Sequence, residues 1–322
     1  MGKVKKTGIT EEIIGAYEKN MVHIPLKQMG HFFTRAHRIT KKKKHADIVA
    51  GNFVLARPAK IRGEIEALKK NEFNLPLKKP KAKRNRLRRE LYEKNPRLGV
   101  LNELILDLFY IKSLSLESYM RKEFREASDI LRKEDLRSLY LQIGTLRHDS
   151  SYAINSVFML KHLGIEKIDQ EAVAILKDYY FDGDLNMERK IPAWEFGSLV
   201  YSLTHVIIAD SEYYQRTAAG HGWILDYFAK NAELIMKEAT VDMVSEVALC
   251  YKLCGKEKEY GKAVEKFKSF LLEFFDSAKL EDIGYLVKKE HTNSILMILF
   301  SENKGWHRGP DLSGHEFFTK QA

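Results

Sequence analysis

Cysteine is nearly missing from this 322-residue chain. The two present, Cys250 and Cys254, stand four apart in VALCYKLCG and so share one helix face. A disulfide across one helical turn is geometrically poor, and two cysteines alone make a weak zinc site. Buried, reduced thiols and a cytoplasmic setting are therefore expected. Proline numbers only 7, while 44% of residues are apolar and 11% aromatic, which excludes a disordered chain. No run approaches the roughly 20 apolar residues of a membrane span; Ser294 to Phe300 is far too short. The start, MGKVKKTGIT, lacks the apolar core of a signal peptide. HExxH, CxxC, the P-loop and GxGxxG are all missing, so neither a metal nor another cofactor is expected.

Charge is unevenly spread. Residues 1–100 hold 26 Lys and Arg against 9 Asp and Glu, while the rest hold 28 against 35. Much of the excess sits in Lys41 to Lys44 and in Lys78 to Arg89, KKPKAKRNRLRR, where eight of twelve residues are basic. Such a patch attracts phosphate-bearing polymers or anionic surfaces, and it reads equally as a solvated basic linker. No aromatics interleave with the run, so a base-stacking platform is not indicated.

Strand signals are as scarce as cysteine: no Asn-Gly hairpin, little β-branched alternation. Helical periodicity dominates, and apolar segments turn near Gly164, Ala209 and Gly255, 45 and 46 residues apart. Further turns fall near Ser113 and Thr40, and HTNSILMILFSENKGW begins 49 residues after Asp242. A period of this length without strands means repeated antiparallel helix pairs. Inner helices are expected near 28–39, 101–112, 148–163, 194–208, 241–253 and 290–300. Apolar almost all round, they favour an all-α single domain closed into an α/α toroid, with an open α-solenoid as the alternative. A basic insertion or linker at about 70–97 and an irregular segment at 303–322 would interrupt it.

Each inner helix carries a polar stripe. In SLTHVIIADSEYYQR and the residues before it, Trp194, Ser198, Tyr201 and His205 share a face and should line a wet central cavity. Asp210 would cap an outer helix holding Tyr213, Tyr214 and Arg216. It lies about 140° round the helix from His205, so the two cannot be joint metal ligands. Gln28, His31, Arg35 and Arg38 fall together on the first helix. His148, Ser151 and Asn155 follow Arg147 on the third; Asp242 and Glu246 mark the fifth; His291 and Asn293 open the sixth. Asp149 with Ser150, and Asp242, also read as N-caps. The catalytic candidates are His148, Asp149, Tyr201, His205 and Glu246. The binding candidates are His31, Arg35, Arg147, Asn155, Trp194 and His291, with Trp306 delivered by the glycine-rich segment Gly305 to His315.

The layout resembles the α/α-toroid carbohydrate-active enzymes. The segments GHFFTRAHRIT, SLTHVIIADSEYYQR and HGWILDYF also resemble a bacterial family of unknown function of α/α-toroid type, over most of the chain from about residue 20. What this layout implies is a lyase or glycoside hydrolase acting on an anionic saccharide. A lyase would use His or Tyr as base and acid with Arg or Asn neutralising a carboxylate; an inverting hydrolase would need a carboxyl pair from Asp149, Glu195, Asp242 and Glu246. Two alternatives compete. One is a non-catalytic repeat protein holding nucleic acid or another polyanion through its basic N-terminal third; the other is a metal-dependent hydrolase using the histidines.

Overall fold

Turns end the helices where small residues or tertiary contacts permit a left-handed backbone, and those points set the architecture. The computed structural model describes residues 8–73, 82–181, 191–302 and 305–319. In chain order the helices are α1 (Ile9–Lys19), α2 (Leu26–Thr40), α3 (Lys43–Lys70), α4 (Lys83–Lys94), α5 (Pro96–Ser113) and α6 (Arg121–Lys133). Next come α7 (Leu136–Tyr140), α8 (Ile143–His148), α9 (Ser151–Leu163), α10 (Asp169–Phe181), α11 (Ala193–Asp210) and α12 (Gly222–Lys230). The last are α13 (Ala232–Glu238), α14 (Val241–Leu253), α15 (Gly261–Phe274), α16 (Ile283–Lys288), α17 (Glu290–Leu299) and α18 (Glu316–Thr319). No strand occurs among the described residues, and none of these helices is long and apolar enough to cross a membrane.

Helices occupy all six ranges expected for inner helices, as α2, α5, the α8–α9 pair, α11, α14 and α17. Lys41 (φ 54°) stops α2, Gly164 (φ 74°) caps α9 and Gly255 (φ 66°) follows α14, matching three of the expected turns. Two local expectations fail. The backbone breaks between α8 and α9 at Asp149–Ser150, where Ser150 has φ 37° and its side chain caps nothing. No outer helix contains Tyr213, Tyr214 and Arg216, because Glu212, Tyr213 and Tyr214 are three consecutive left-handed residues. That run costs roughly 1–2 kcal/mol per residue, so tertiary contacts must hold it. Arg38 does so by donating to Tyr213 O and, at 3.1 Å, to Gly309 O.

The chain divides into two compact units. One comprises Met1–Ala56 with Tyr213–Phe317, the other Arg57–Glu212 with Phe318–Ala322. In the first, α17 lies between α2 and α14; α1 also packs on α17 and α15 on α14. In the second, α9 lies between α5 and α11, with α10 on α9 and α6 on α5. Burial explains the apolar runs: α14 buries ten of its thirteen residues and α17 nine of ten, so apolar side chains must cover nearly every face. Cys250 is buried and Cys254 half-buried, and both are free thiols.

Close approach of helices also dictates glycine. A Cβ on Gly30 of α2 would strike the Oδ1 of Asn52, which is itself buried and donates to Leu26 O. Gly15 of α1 faces no atom within 4 Å. Gly30→Ala is therefore expected to destabilise by about 1–3 kcal/mol, whereas Gly15→Ala should stabilise by about 0.5–1 kcal/mol. Denaturant melts of the two variants check the opposite signs.

Candidate functional site

The residues singled out in the sequence gather into two groups, one within each unit, rather than into a single stripe-lined set. The first group is built by three helices. Asp242 and Glu246, at i and i+4, project from α14; Glu290, His291 and Ser294 from α17; His31 and Arg35 from α2. Asp242 does not cap α14. Thr240 takes that role, accepting from Met243 N at 3.3 Å, which leaves the Asp242 carboxylate to accept from His291 Nδ1 at 2.7 Å and Thr292 Oγ1 at 3.0 Å. His291 Nε2 lies 3.6 Å from Glu246 Oε1. Beside it His31 Nδ1 meets Glu290 Oε1 at 2.8 Å, and the two imidazole rings stack with centroids 5.7 Å apart.

These neighbours drive the two histidines in opposite directions. Burial, then the Arg35 guanidinium, pushes His31 down to about 4, against the pull of Glu290. Burial also opposes charge on His291, but the hydrogen bond to Asp242 and the Glu246 carboxylate outweigh it and hold its pKa above the usual value. Glu290 stays below the ordinary carboxylate range: burial raises it, and His31 and Arg35 more than offset that. Arg35 is buried, donates to Ser294 Oγ and at 3.3 Å to Tyr214 OH, and lies over the Tyr214 ring at 4.9 Å. No carboxylate among the described residues lies within ion-pair distance of it. Asp242, Glu246 and His291 each offer one ligand atom, all within 4.8 Å of one another, so this trio could hold a divalent cation.

The second group centres on α9, α11 and α4. Trp194, Tyr201 and His205 are half-buried along α11, as the stripe requires, but Ser198 is fully buried and donates to Trp194 O. His205 Nδ1 faces Asn155 Oδ1 at 2.7 Å; that bond fixes Nδ1 as the protonated nitrogen. Arg147 pairs with Glu195 at 2.6 Å and covers the rings of Tyr179 and Trp194. His148 lies 6.4 Å from the Trp194 ring and is pushed down by burial, then by Arg147.

Asp149, a catalytic candidate in the sequence, sits in a bonded cluster. Its carboxylate is fully buried and accepts from Tyr92 OH and Asn102 Nδ2, both at 2.8 Å, with Arg88 Nε at 3.1 Å. Burial still pushes its pKa up, the partners opposing it. Arg88 and Tyr92 come from the expected basic linker, residues 83–94 of which are helix α4. The absence of aromatics within the basic run is also overtaken by the fold. Trp194, Tyr201 and Tyr152 come to it from other helices, under Lys83, Arg84 and Arg88 respectively. Lys78 to Lys81 lie outside the described residues. Asn293, buried, donates to Tyr17 OH, and Gln28 to Val287 O, so both serve the packing. Trp306 is half-buried and has no hydrogen bond to either group.

Sequence reasoning missed Glu290 and Tyr152. Glu290 was masked by its neighbour His291, although a Glu directly before a His at a helix start is a readable signal. The two roles assigned here separate experimentally. Asp149→Ala strands Arg88 against a buried pocket and should cost about 3–5 kcal/mol. His205→Ala should cost about 1 kcal/mol, because water can reach Asn155 in its place, while Leu203→Ala, fully buried on the same helix, should cost about 2–5 kcal/mol. Urea denaturation of the three variants measures this ranking.

No curated protein and no solved structure matches the chain. One family model does, over residues 6–321, and its description is a domain of unknown function (DUF3541). Covering both units and both groups of side chains, that match makes the chain a member of the DUF3541 family.

Proposed function

We propose that the protein is an enzyme that performs general acid–base chemistry at the His31–His291 pair, on an anionic saccharide. The observation that carries this reading is the pair itself. Two stacked histidines, each hydrogen-bonded to its own carboxylate, have environments that push their pKa values apart. Such a split assigns a base and an acid. His31, neutral and oriented by Glu290, is the base; His291, charged between Asp242 and Glu246, is the acid.

A lyase reaction suits this set better than hydrolysis. His31 takes the proton on the carbon next to the substrate's carboxylate, and that C–H electron pair becomes a C=C bond. The C–O bond to the leaving sugar breaks, and His291 gives its proton to the departing oxygen. Arg35, with hydroxyl partners and no carboxylate of its own among the described residues, supplies the charge that neutralises the substrate's carboxylate. An inverting hydrolase is less supported here, because the Asp242 and Glu246 ligand oxygens lie within 4.8 Å, short of the roughly 6.5–9.5 Å that mechanism uses.

The closed toroid is retained as part of the proposal, and three inner helices in each unit support it by supplying the six that ring needs. A single domain, a cytoplasmic setting and a cofactor-free reaction are retained in the same way. A polyanion-binding role for the basic N-terminal third is less supported, since Asp149 and Glu93 take up the charges of Arg88 and Arg89. The second reading is a metal-dependent hydrolase, favoured by the convergence of Asp242, Glu246 and His291.

The test is turnover of polyuronates, followed by ultraviolet absorbance of the new double bond. The base must be neutral and the acid charged. kcat/KM should therefore rise through about pH 4, stay level across neutrality and fall as His291 loses its proton above the usual histidine range. His31→Ala and His291→Ala should each lower kcat/KM by about 10²–10⁴-fold with unchanged helical circular dichroism. Loss of activity on chelation would favour the metal reading. A profile that keeps rising above the histidine range would overturn the acid–base assignment.

A further inference from the structure

Besides Arg57 over Tyr110 and Arg97 over Phe73, three arginines in the Arg57–Glu212 unit lie over aromatic rings. Arg88 covers Tyr152 at 4.6 Å, Arg147 covers Tyr179 at 4.7 Å and Arg84 covers Tyr201 at 4.8 Å. Stacking fixes the plane of a guanidinium while leaving the N–H donors along its edge to other partners. In two of the three those donors meet a buried carboxylate: Arg88 meets Asp149 at 3.1 Å and Arg147 meets Glu195 at 2.6 Å. Arg84 has none. No carboxylate among the described residues lies within ion-pair distance of it, and its recorded partner is Tyr201 alone.

A half-buried cation without a counter-ion is costly, and here the cost is aggravated by a like charge. Burial pushes the Arg84 pKa down, and Arg88, four residues along the same helix, pushes it down further. Immediately before it in the chain, Lys83 lies over the Trp194 ring at 5.2 Å, and it too has no carboxylate partner among the described residues. Further hydrogen-bonding groups lie beside them: Tyr201 and His205 are neighbours on α11 with ring centroids 6.2 Å apart, and His205 is oriented by Asn155.

We infer that Arg84, held on Tyr201 and assisted by Lys83, is a receptor for an oxyanion on a saccharide, with the Tyr201–His205 edge beside it for neutral hydroxyls. The planar fork of a stacked guanidinium matches the two oxygens of a carboxylate or sulfate. Arg84 is half-buried and held on its ring, which suits one such group, and a single-stranded DNA serves as the competing probe. The identity of the ligand rests on the saccharide reading proposed above, but the receptor does not depend on the His31–His291 centre, because binding requires no turnover.

The experiment is isothermal titration of the full chain with four probes of similar length: a trigalacturonate, a sulfated heparin-derived tetrasaccharide, neutral maltotriose and a short single-stranded DNA. The expected result is binding of one or both acidic saccharides at least tenfold tighter than maltotriose. The trigalacturonate and heparin arms tell carboxylate from sulfate. Arg84→Gln should abolish that preference, and Arg84→Lys should keep part of it, since a point charge remains without the fork. Arg86→Gln, exposed on the same helix, should leave binding within twofold. Equal binding of maltotriose, preference for DNA over both acidic saccharides, or an Arg84→Gln variant no weaker than Arg86→Gln would overturn the assignment. Because Arg84→Lys keeps both charge and stem, its partial binding separates a lost receptor from a misfolded chain. Acidic-saccharide binding without turnover would uphold the receptor while removing the acid–base centre.

Discussion

A helix buried on nearly every face can keep a polar side chain only by bonding it or by bringing it to an end. Leaving such a group bare costs about 1–3 kcal/mol. Several side chains of the most buried helices are bonded in this way. Along α14 and α17, Ser245 donates to Asp242 O and Asn293 to Tyr17 OH. On α9, Ser156 donates to Asn102 Oδ1. Other polar groups collect at helix starts, Asp242 in the first turn of α14 and Glu290 and His291 in that of α17, while Glu246 lies one turn further on and is buried. At those starts the helix dipole also favours the carboxylates by a few tenths to about 1 kcal/mol each. The candidate site follows from the burial that builds the fold.

Asp149 applies the same constraint to a charge with no end to escape to. Fully buried at the α8–α9 break, it draws Arg88 and Tyr92, one helical turn apart, onto itself. Those two contacts fix α4, which carries most of the described part of the basic run. The segment that reads as a solvated linker is consequently several things at once. Arg88 reaches inward, Arg89 pairs with Glu93 at 2.6 Å along the helix, Arg84 stacks on Tyr201, and Arg86 faces solvent. Counting charges along the sequence cannot make this distinction. It depends on one acid some sixty residues further on.

The inner helices were legible because burial on both flanks writes itself as apolar runs of helical length, and because Gly164 and Gly255 mark their ends. The left-handed run at Glu212 to Tyr214 was not, since bulky residues seldom take that conformation and nothing local announces it. Its support, Arg38, comes from a helix far away in sequence. The site was half legible. Periodicity identifies which residues share a face, so Trp194, Tyr201 and His205 were found together. It does not tell which faces of different helices meet, and so His31 and His291 were both named without being paired.

That pairing has a consequence of its own. Two imidazolium ions with centroids 5.7 Å apart would repel by about 3 kcal/mol at an effective dielectric constant near 20. Adding the Arg35 guanidinium beside them makes double protonation costlier still. Burial with Arg35 pushes His31 down while Asp242 and Glu246 hold His291 up, so the surrounding carboxylates favour a proton on His291. His291 faces two, Asp242 and Glu246, and His31 faces one, with Arg35 opposing it. An unequal number of acids around two equal rings is enough to turn a symmetric stack into a donor and an acceptor. In the proposed reaction that asymmetry is what makes one ring the base and the other the acid, without either residue being unusual in itself.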